Sequence, residues 1–237
     1  VMNLIKIRSA CKLADAILAE VVGNLRRGKS EMEVAAEIRK LAKTKTDGLA
    51  FPPIVAFGKN SAEPHHSPTG RKLKIGDIVK IDLGFRVGGF CSDLTRTFFT
   101  AEPTDFQRKI YETVLAAQKL GIRKTRSGIT GKDLDAFARN FFESVTFPPF
   151  AKGGQGGFAK NFVHSLGHGV GRRIHQNPKI GPKSKSTLKL GDVLTIEPGL
   201  YFKNRFGIRI EDTVSVGKNG AELLTHFPKK LKILKIG

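Results

Sequence analysis

The 237-residue sequence predicts an α+β protein made of two similar halves, about 1–100 and 101–237, within a single domain spanning 1–237. Three observations carry that expectation. A helix pair followed by strands occurs twice, roughly a hundred residues apart. The connections inside the helix pairs align without a gap, Gly28, Ser30, Glu33 and Val34 against Gly128, Thr130, Asp133 and Leu134. Residues 73–84, LKIGDIVKIDLG, and 188–199, LKLGDVLTIEPG, agree at six of twelve positions and set Asp82 opposite Glu197. Coincidence of two Gly-Asp turns would explain the last match alone, but not the repeated helix pairs. A pseudo-two-fold is therefore expected, with corresponding carboxylates facing each other at its centre.

Each element has a local reason. Residues 3–25 carry Leu4, Ile7, Cys11, Ala14, Leu18, Val21 and Leu25 at the three-to-four spacing of an amphipathic helix that Gly28 can end. Ser30 and Glu33 have capping-box spacing, and Val34, Ile38 and Leu41 form the apolar face of the helix they open. The pattern then turns to β at 54–57, 78–87 and 90–99, with Gly88 and Gly89 as the hairpin turn between the last two. In the second half a helix is predicted from about Thr104 to Lys124, and Thr130 caps another that reaches about Ser144. The connection 147–161 holds Gly153, Gly154, Gln155, Gly156 and Gly157 and is too flexible for an element. It reads as a linker, or as a mobile rim of a site.

Composition narrows the function. Two cysteines, Cys11 and Cys91, not in a CxxC, exclude a disulfide scaffold or a cysteine-based zinc site and fit a reducing cytoplasm. No apolar run approaches the roughly 20 residues of a membrane span, and the first residues lack a signal peptide's apolar core. A cytoplasmic location with no membrane partner is expected, provided Val1 lies near the natural start. The net charge of +20 invites nucleic acid. Yet the cations are spread along the chain apart from a cluster at 228–232, and they are not interleaved with aromatics in an RNA-binding pattern, so at most non-specific binding is expected. From residue 151 onward 16 basic residues accompany only five acids, so each acid there is a candidate for chemistry.

Those acids form a pattern. Asp82 and Glu197 follow apolar strand runs, Asp93 lies in SDLTRT, and Glu211 in RIED. Any one alone reads as a strand-end carboxylate paired with arginine. Four converging carboxylates would repel by about 4 kcal/mol per pair at ~4 Å and an effective dielectric of 20. Two divalent cations balance a charge of −4. Five of six histidines fall in two motifs, Pro64-His65-His66 and 164–175, while His66 and His226 read as ordinary polar residues. The Gly-flanked His168 is the best nitrogen ligand, and one imidazole among oxygens suits Mn²⁺, Co²⁺ or Fe²⁺ better than a structural zinc.

Together, Ile81-Asp82-Leu83-Gly84, Ser92-Asp93-Leu94-Thr95-Arg96-Thr97, Gly167-His168-Gly169, Thr195-Ile196-Glu197-Pro198-Gly199 and Arg209-Ile210-Glu211-Asp212 resemble the five metal-ligand motifs of the pita-bread metallopeptidases. That family includes methionine aminopeptidase, Xaa-Pro aminopeptidase and Xaa-Pro dipeptidase (prolidase), and the resemblance runs in order along essentially the whole chain. It implies a pita-bread fold and two divalent ions, Mn²⁺ or Co²⁺ first, Fe²⁺ or Zn²⁺ as alternatives. Asp82 would bind one, His168 and Glu197 the other, and Asp93 and Glu211 would bridge. His65 and His175 match the catalytic histidines, and His164 a further substrate-site histidine. Two cations would lower the pKa of a shared water from 15.7 towards ~7, making the hydroxide nucleophile, and Glu197 would relay its proton. Alternation sets Arg209 beside Glu211 on one strand face, where it pairs with a ligand carboxylate or reaches substrate.

Residues 197–201, EPGLY, with 209–212, RIED, and 224–229, LTHFPK, resemble the proline-specific branch. Peptides with proline in second position are the implied substrates. Gln176 departs from that branch's usual acid after the second catalytic histidine, and its separate N-terminal domain is expected to be absent. Two rivals are methionine aminopeptidase and a non-enzymatic, nucleic-acid-binding relative of the same fold. The second is disfavoured because all five ligand positions are filled.

Overall fold

The protein is represented by a computed structural model that describes residues 2–145 and 157–237. Most of the glycine-rich connection expected to be a linker or rim lies outside the described residues. The first half runs α1 (Met2–Gly23), α2 (Glu31–Lys45), β1 (Ile54–Phe57), a 3₁₀ turn (Gly58–Ala62), β2 (Ile78–Leu83), β3 (Arg86–Val87), β4 (Phe90–Cys91) and β5 (Leu94–Phe99). The second has α3 (Asp105–Lys124), α4 (Gly131–Ser144), a 3₁₀ turn (Ala159–Asn161), β6 (Gly167–Gly169), β7 (Gln176–Ile180), β8 (Val193–Ile196), β9 (Gly199–Phe202), β10 (Phe206–Arg209), β11 (Asp212–Val216) and β12 (Ala221–Leu223).

The caps act as the sequence predicts. Ser30 Oγ accepts from Glu33 N at 3.2 Å while Glu33 Oε2 accepts from Ser30 N at 2.7 Å, and Thr130 Oγ1 accepts from Asp133 N at 3.0 Å. The matched segments make matching hydrogen bonds. Gly28 N donates to Leu73 O at 2.9 Å and Gly128 N to Leu188 O at 2.8 Å, and both glycines have φ of 88°. The matched Gly-Asp turns close alike, Lys74 N on Asp77 Oδ2 at 2.9 Å and Lys189 N on Asp192 Oδ2 at 2.8 Å.

In the first half β1, β2 and β5 form an antiparallel sheet with Asp82 opposite Thr95. Its inner face, Val79, Ile81 and Leu83, packs with Ile17, Leu18, Val21 and Ile38 of α1 and α2. In the second half the order is β12-β11-β8-β6-β7, and Leu194, Ile196 and Val214 pack against Ile110, Val114 and Leu134. Two small hairpins, β3-β4 and β9-β10, complete the strands. Val87 and Phe90 pair across Gly88 and Gly89, whose φ of 56° and 76° suit the predicted tight turn.

The long strands predicted at 78–87 and 90–99 are each interrupted. Phe85 leaves the β2–β5 ladder to bridge Leu49, and Ser92 closes the gap by accepting Phe85 N on Oγ at 3.1 Å. A competing strand segment thus overrides local β pattern, beside Asp82 and Asp93. Strand β6, only Gly167-His168-Gly169, has no propensity signal. It exists because neighbouring backbones close on it: a Cβ at Gly167 would lie 2.0 Å from Thr195 O, and one at Gly169 2.2 Å from Asn177 O. Glycines on both sides let His168 enter the sheet.

Candidate metal centre

Alternation along β5 and its lead-in puts Asp93, Thr95 and Thr97 on the side facing the second half, where the sheets are joined by Glu211 N donating to Thr95 O at 3.1 Å. One cavity there is lined by Asp82, Asp93, His168, Glu197 and Glu211, with His65, His175 and Arg209. Single ligand atoms of Asp93, His168 and Glu211 all lie within 4.8 Å of one another. His168 Nε2 is 3.5 Å from Asp93 Oδ2 and 3.3 Å from Glu197 Oε1. Its Nδ1 lies 3.2 Å from Gly169 O, an orientation that sends Nε2 to the carboxylates.

Three of the four carboxylates are aimed by a hydroxyl or guanidinium. Thr95 Oγ1 donates to Glu211 Oε2 at 2.5 Å, Thr195 Oγ1 to Glu197 Oε1 at 3.0 Å, and Arg209 Nη2 to Asp82 Oδ2 at 2.5 Å. Among the described residues Asp82 Oδ1 is buried with no hydrogen-bond partner. Glu211 and Asp212 are adjacent in sequence but separate in role. Asp212 accepts from Arg96, Thr225, Gln118 and Lys229, whereas Glu211 faces the cavity.

The electrostatics call for a cation. Burial, then the neighbouring acids Glu211, Asp82 and Glu197, push the Asp93 carboxyl well above the usual range. Burial, then Glu197 and Asp82, do the same to Glu211. Glu197 is raised to about 7 by burial against the opposing pull of Arg209. Burial, then His175, hold His168 down at about 3, so its imidazole is neutral and can coordinate. An orphaned buried oxygen, carboxyls that resist ionising together and a neutral imidazole fit a divalent-cation site.

The other expected residues divide by position. His65 and His175 are exposed on the cavity rim, and burial of part of each ring lowers its pKa. His175 sits in the left-handed region, φ 58°. His164 is partly buried and is not among the residues lining that cavity; its Nε2 is 2.9 Å from Tyr201 Oη, which accepts from Arg209 Nη1 at 2.8 Å. Arg209 is 2% exposed and also donates to Thr95 Oγ1 and Pro64 O, so it takes the pairing role. His66 also lines the cavity, and its Nε2 lies 2.8 Å from Glu31 Oε2.

Residues 5–218 match metallopeptidase family M24. The chain belongs to that family. It is 40% identical over 226 residues to an Xaa-Pro dipeptidase of Pyrococcus furiosus, covering 95% of this chain and 62% of that protein. The structure of a dipeptidase from Pyrococcus horikoshii superposes with a TM-score of 0.89 at 38% identity, covering 98% of this chain and 62% of that one. An X-Pro aminopeptidase from Thermotoga maritima gives 0.88 at 35%, covering 98% and 63%. This M24 chain therefore spans about three fifths of these relatives' length. The likeness bears out the pita-bread α+β fold. Among the described residues no helix is long and apolar enough to cross a membrane.

Several residues that serve the M24 site escaped the sequence reading. Thr95 and Thr195 were within reach, since each lies two positions from a candidate ligand and shares its strand face. Glu31 is a buried hub accepting from Phe57 N, Asn60 Nδ2, Thr69 N and Thr69 Oγ1, and no local pattern reveals partners 26 to 38 residues away.

Proposed function

We propose that the protein is a dinuclear-metal exopeptidase that hydrolyses the bond between an N-terminal residue and a following proline. The observation that carries this reading is the charge set of one cavity: four carboxylates and a neutral imidazole, with one carboxylate oxygen orphaned. Asp82 would hold one cation and His168 with Glu197 the other, Asp93 and Glu211 being shared. Mn²⁺ or Co²⁺ suits this oxygen-rich set best. Such ions supply a water with a pKa lowered to about 7 and polarise the scissile carbonyl.

The chain's own residues do the rest. Glu197, with a carboxyl near neutrality in the metal-free chain, takes the proton of the attacking water and returns it to the leaving proline nitrogen. Thr195 and Thr95 fix the carboxylates of Glu197 and Glu211, so no reorganisation is needed as charge develops. His65 and His175, neutral at neutral pH, donate N–H groups to the oxyanion and the substrate backbone, each contributing about 10²–10³ in rate when aligned. Proline makes the scissile bond a tertiary amide with no N–H to donate, so selection must come from shape. Phe51, Pro52, Pro53, Ile54 and Pro68 give the cavity an apolar side for the pyrrolidine ring.

The names of the relatives support the proline preference. The test is metal-reconstituted protein with a panel of Xaa-Pro and non-proline dipeptides and tripeptides. Release of the N-terminal residue from Xaa-Pro peptides is the expected result, and no hydrolysis of any of them would refute the proposal.

A further inference from the structure

We infer that Lys80 is a positioning residue that fixes His65 at the cavity rim, an inference that rests on the peptidase reading above. Lys80 is fully buried in the middle strand of the first sheet. Val79, Ile81 and Leu83 of that strand enter the core beneath α1 and α2. Lys80 and Asp82 therefore lie on the opposite face, where the halves meet. An apolar side chain would serve the sheet at least as well, because burying an ammonium carries a desolvation cost.

The amine is spent on one segment. Lys80 Nζ donates to Ser61 O at 2.9 Å and to Glu63 O at 2.7 Å, and it lies 5.1 Å from the centre of the Tyr201 ring. Among the described residues no carboxylate is within ion-pair distance of it. Arg209 Nη1 adds a bond to Pro64 O at 3.1 Å. The carbonyls of residues 61, 63 and 64 thus all accept from the buried side chains of Lys80 and Arg209, immediately before His65. From the other direction Glu31 takes Phe57 N, Asn60 Nδ2 and Thr69 N.

His65 needs such bracing. It is exposed, and among the described residues its ring makes no hydrogen bond, so its location is set by its backbone. Arg209 also holds Asp82, and Glu31 lies in the first turn of α2, so changing either disturbs more than the loop. The hydrogen bonds of Lys80 all go to the segment that leads to His65. Loss of the amine should move His65 and spare the ligands.

The test is a double-mutant cycle on the metal-loaded enzyme with an Xaa-Pro dipeptide. Lys80→Met keeps an unbranched side chain, one atom shorter, and removes the donors. It should lower kcat by about tenfold to 10²-fold, the effect of an ångström-scale misplacement, with KM and metal content nearly unchanged. In a His65→Ala background it should cost nothing further, whereas with His175→Ala the two losses should multiply. Lys80→Gln, which restores N–H donors, should recover part of the rate, and it replaces Lys80→Met in the cycle should that variant not fold. Equal further losses in both histidine backgrounds, or no loss at all, would overturn the inference. A protein inactive on every Xaa-Pro peptide would sink the peptidase reading instead. Imidazole ¹⁵N NMR of the metal-loaded protein would then decide the role of Lys80. The His65 signals should shift on substitution and those of His175 should not; both shifting equally, or neither, overturns it.

Discussion

Replacing Asp93 by asparagine should stabilise the metal-free protein while disabling the metal-loaded one. Asp93 and Glu211 offer ligand atoms within 4.8 Å of each other. Two unit charges at that separation repel by about 3 kcal/mol at an effective dielectric of 20. Without a cation the fold avoids this by keeping Asp93 protonated, as its raised pKa states. The unfolded chain releases that proton near the ordinary value of 3.8, so folding must recapture it. A raised folded pKa means the full stability exists below 3.8 and is lost as pH rises towards the folded value. Asparagine has the same shape and no proton to recapture. Discounted for the hydrogen bonds asparagine makes less well, the gain should be about 1–3 kcal/mol at pH 7.5, or roughly 3–10 °C in Tm for a chain of this size. Thermal melts in chelator at pH 7.5 and pH 4 test this: the variant should melt higher at pH 7.5, and the difference should shrink towards zero at pH 4. With Mn²⁺ present the order should reverse, because the wild-type site binds the metal and the variant does not. A variant that melts at or below wild type in chelator at pH 7.5 would refute the argument that carboxylate repulsion shapes this site.

Three further outcomes follow from the same residues. Chelation should abolish hydrolysis and Mn²⁺ or Co²⁺ should restore it; metal at a hundred times its Kd adds about 2.7 kcal/mol of stability, and an unchanged Tm on adding metal would contradict the site. Xaa-Pro peptides should be cleaved at least about tenfold better in kcat/KM than Met-Ala peptides, a difference of about 1.4 kcal/mol in transition-state binding, and equal cleavage would move the protein to the methionine aminopeptidase reading. Filter binding to DNA or RNA should give a Kd in the range of about 10⁻⁴–10⁻⁶ M that weakens steeply with salt, whereas tight, sequence-dependent binding would favour a nucleic-acid module.

The sequence by itself determined the helices, their caps, the matched Gly-Asp turns and the motifs of the metallopeptidase family. These are local matters: Ser30 finds Glu33 three residues on, and the aligned Gly-Asp turns close through their own neighbours. Tertiary structure decided what local patterns cannot encode. Asp212, next to Glu211 in the chain, is taken up by Arg96, Thr225, Gln118 and Lys229, partners drawn from distant segments, while Glu211 lines the cavity. Thr95 aims a carboxylate 116 residues away, and β6 exists only because Thr195 and Asn177 close upon two glycines. Whether Arg209 would serve a ligand or the substrate was likewise open until Asp82, Thr95, Pro64 and Tyr201 were found around its guanidinium. Residue type fixes which bonds a side chain can make, but burial at the seam between the halves selects the partner, because a polar group withdrawn from water must take whichever donor or acceptor the fold brings within reach.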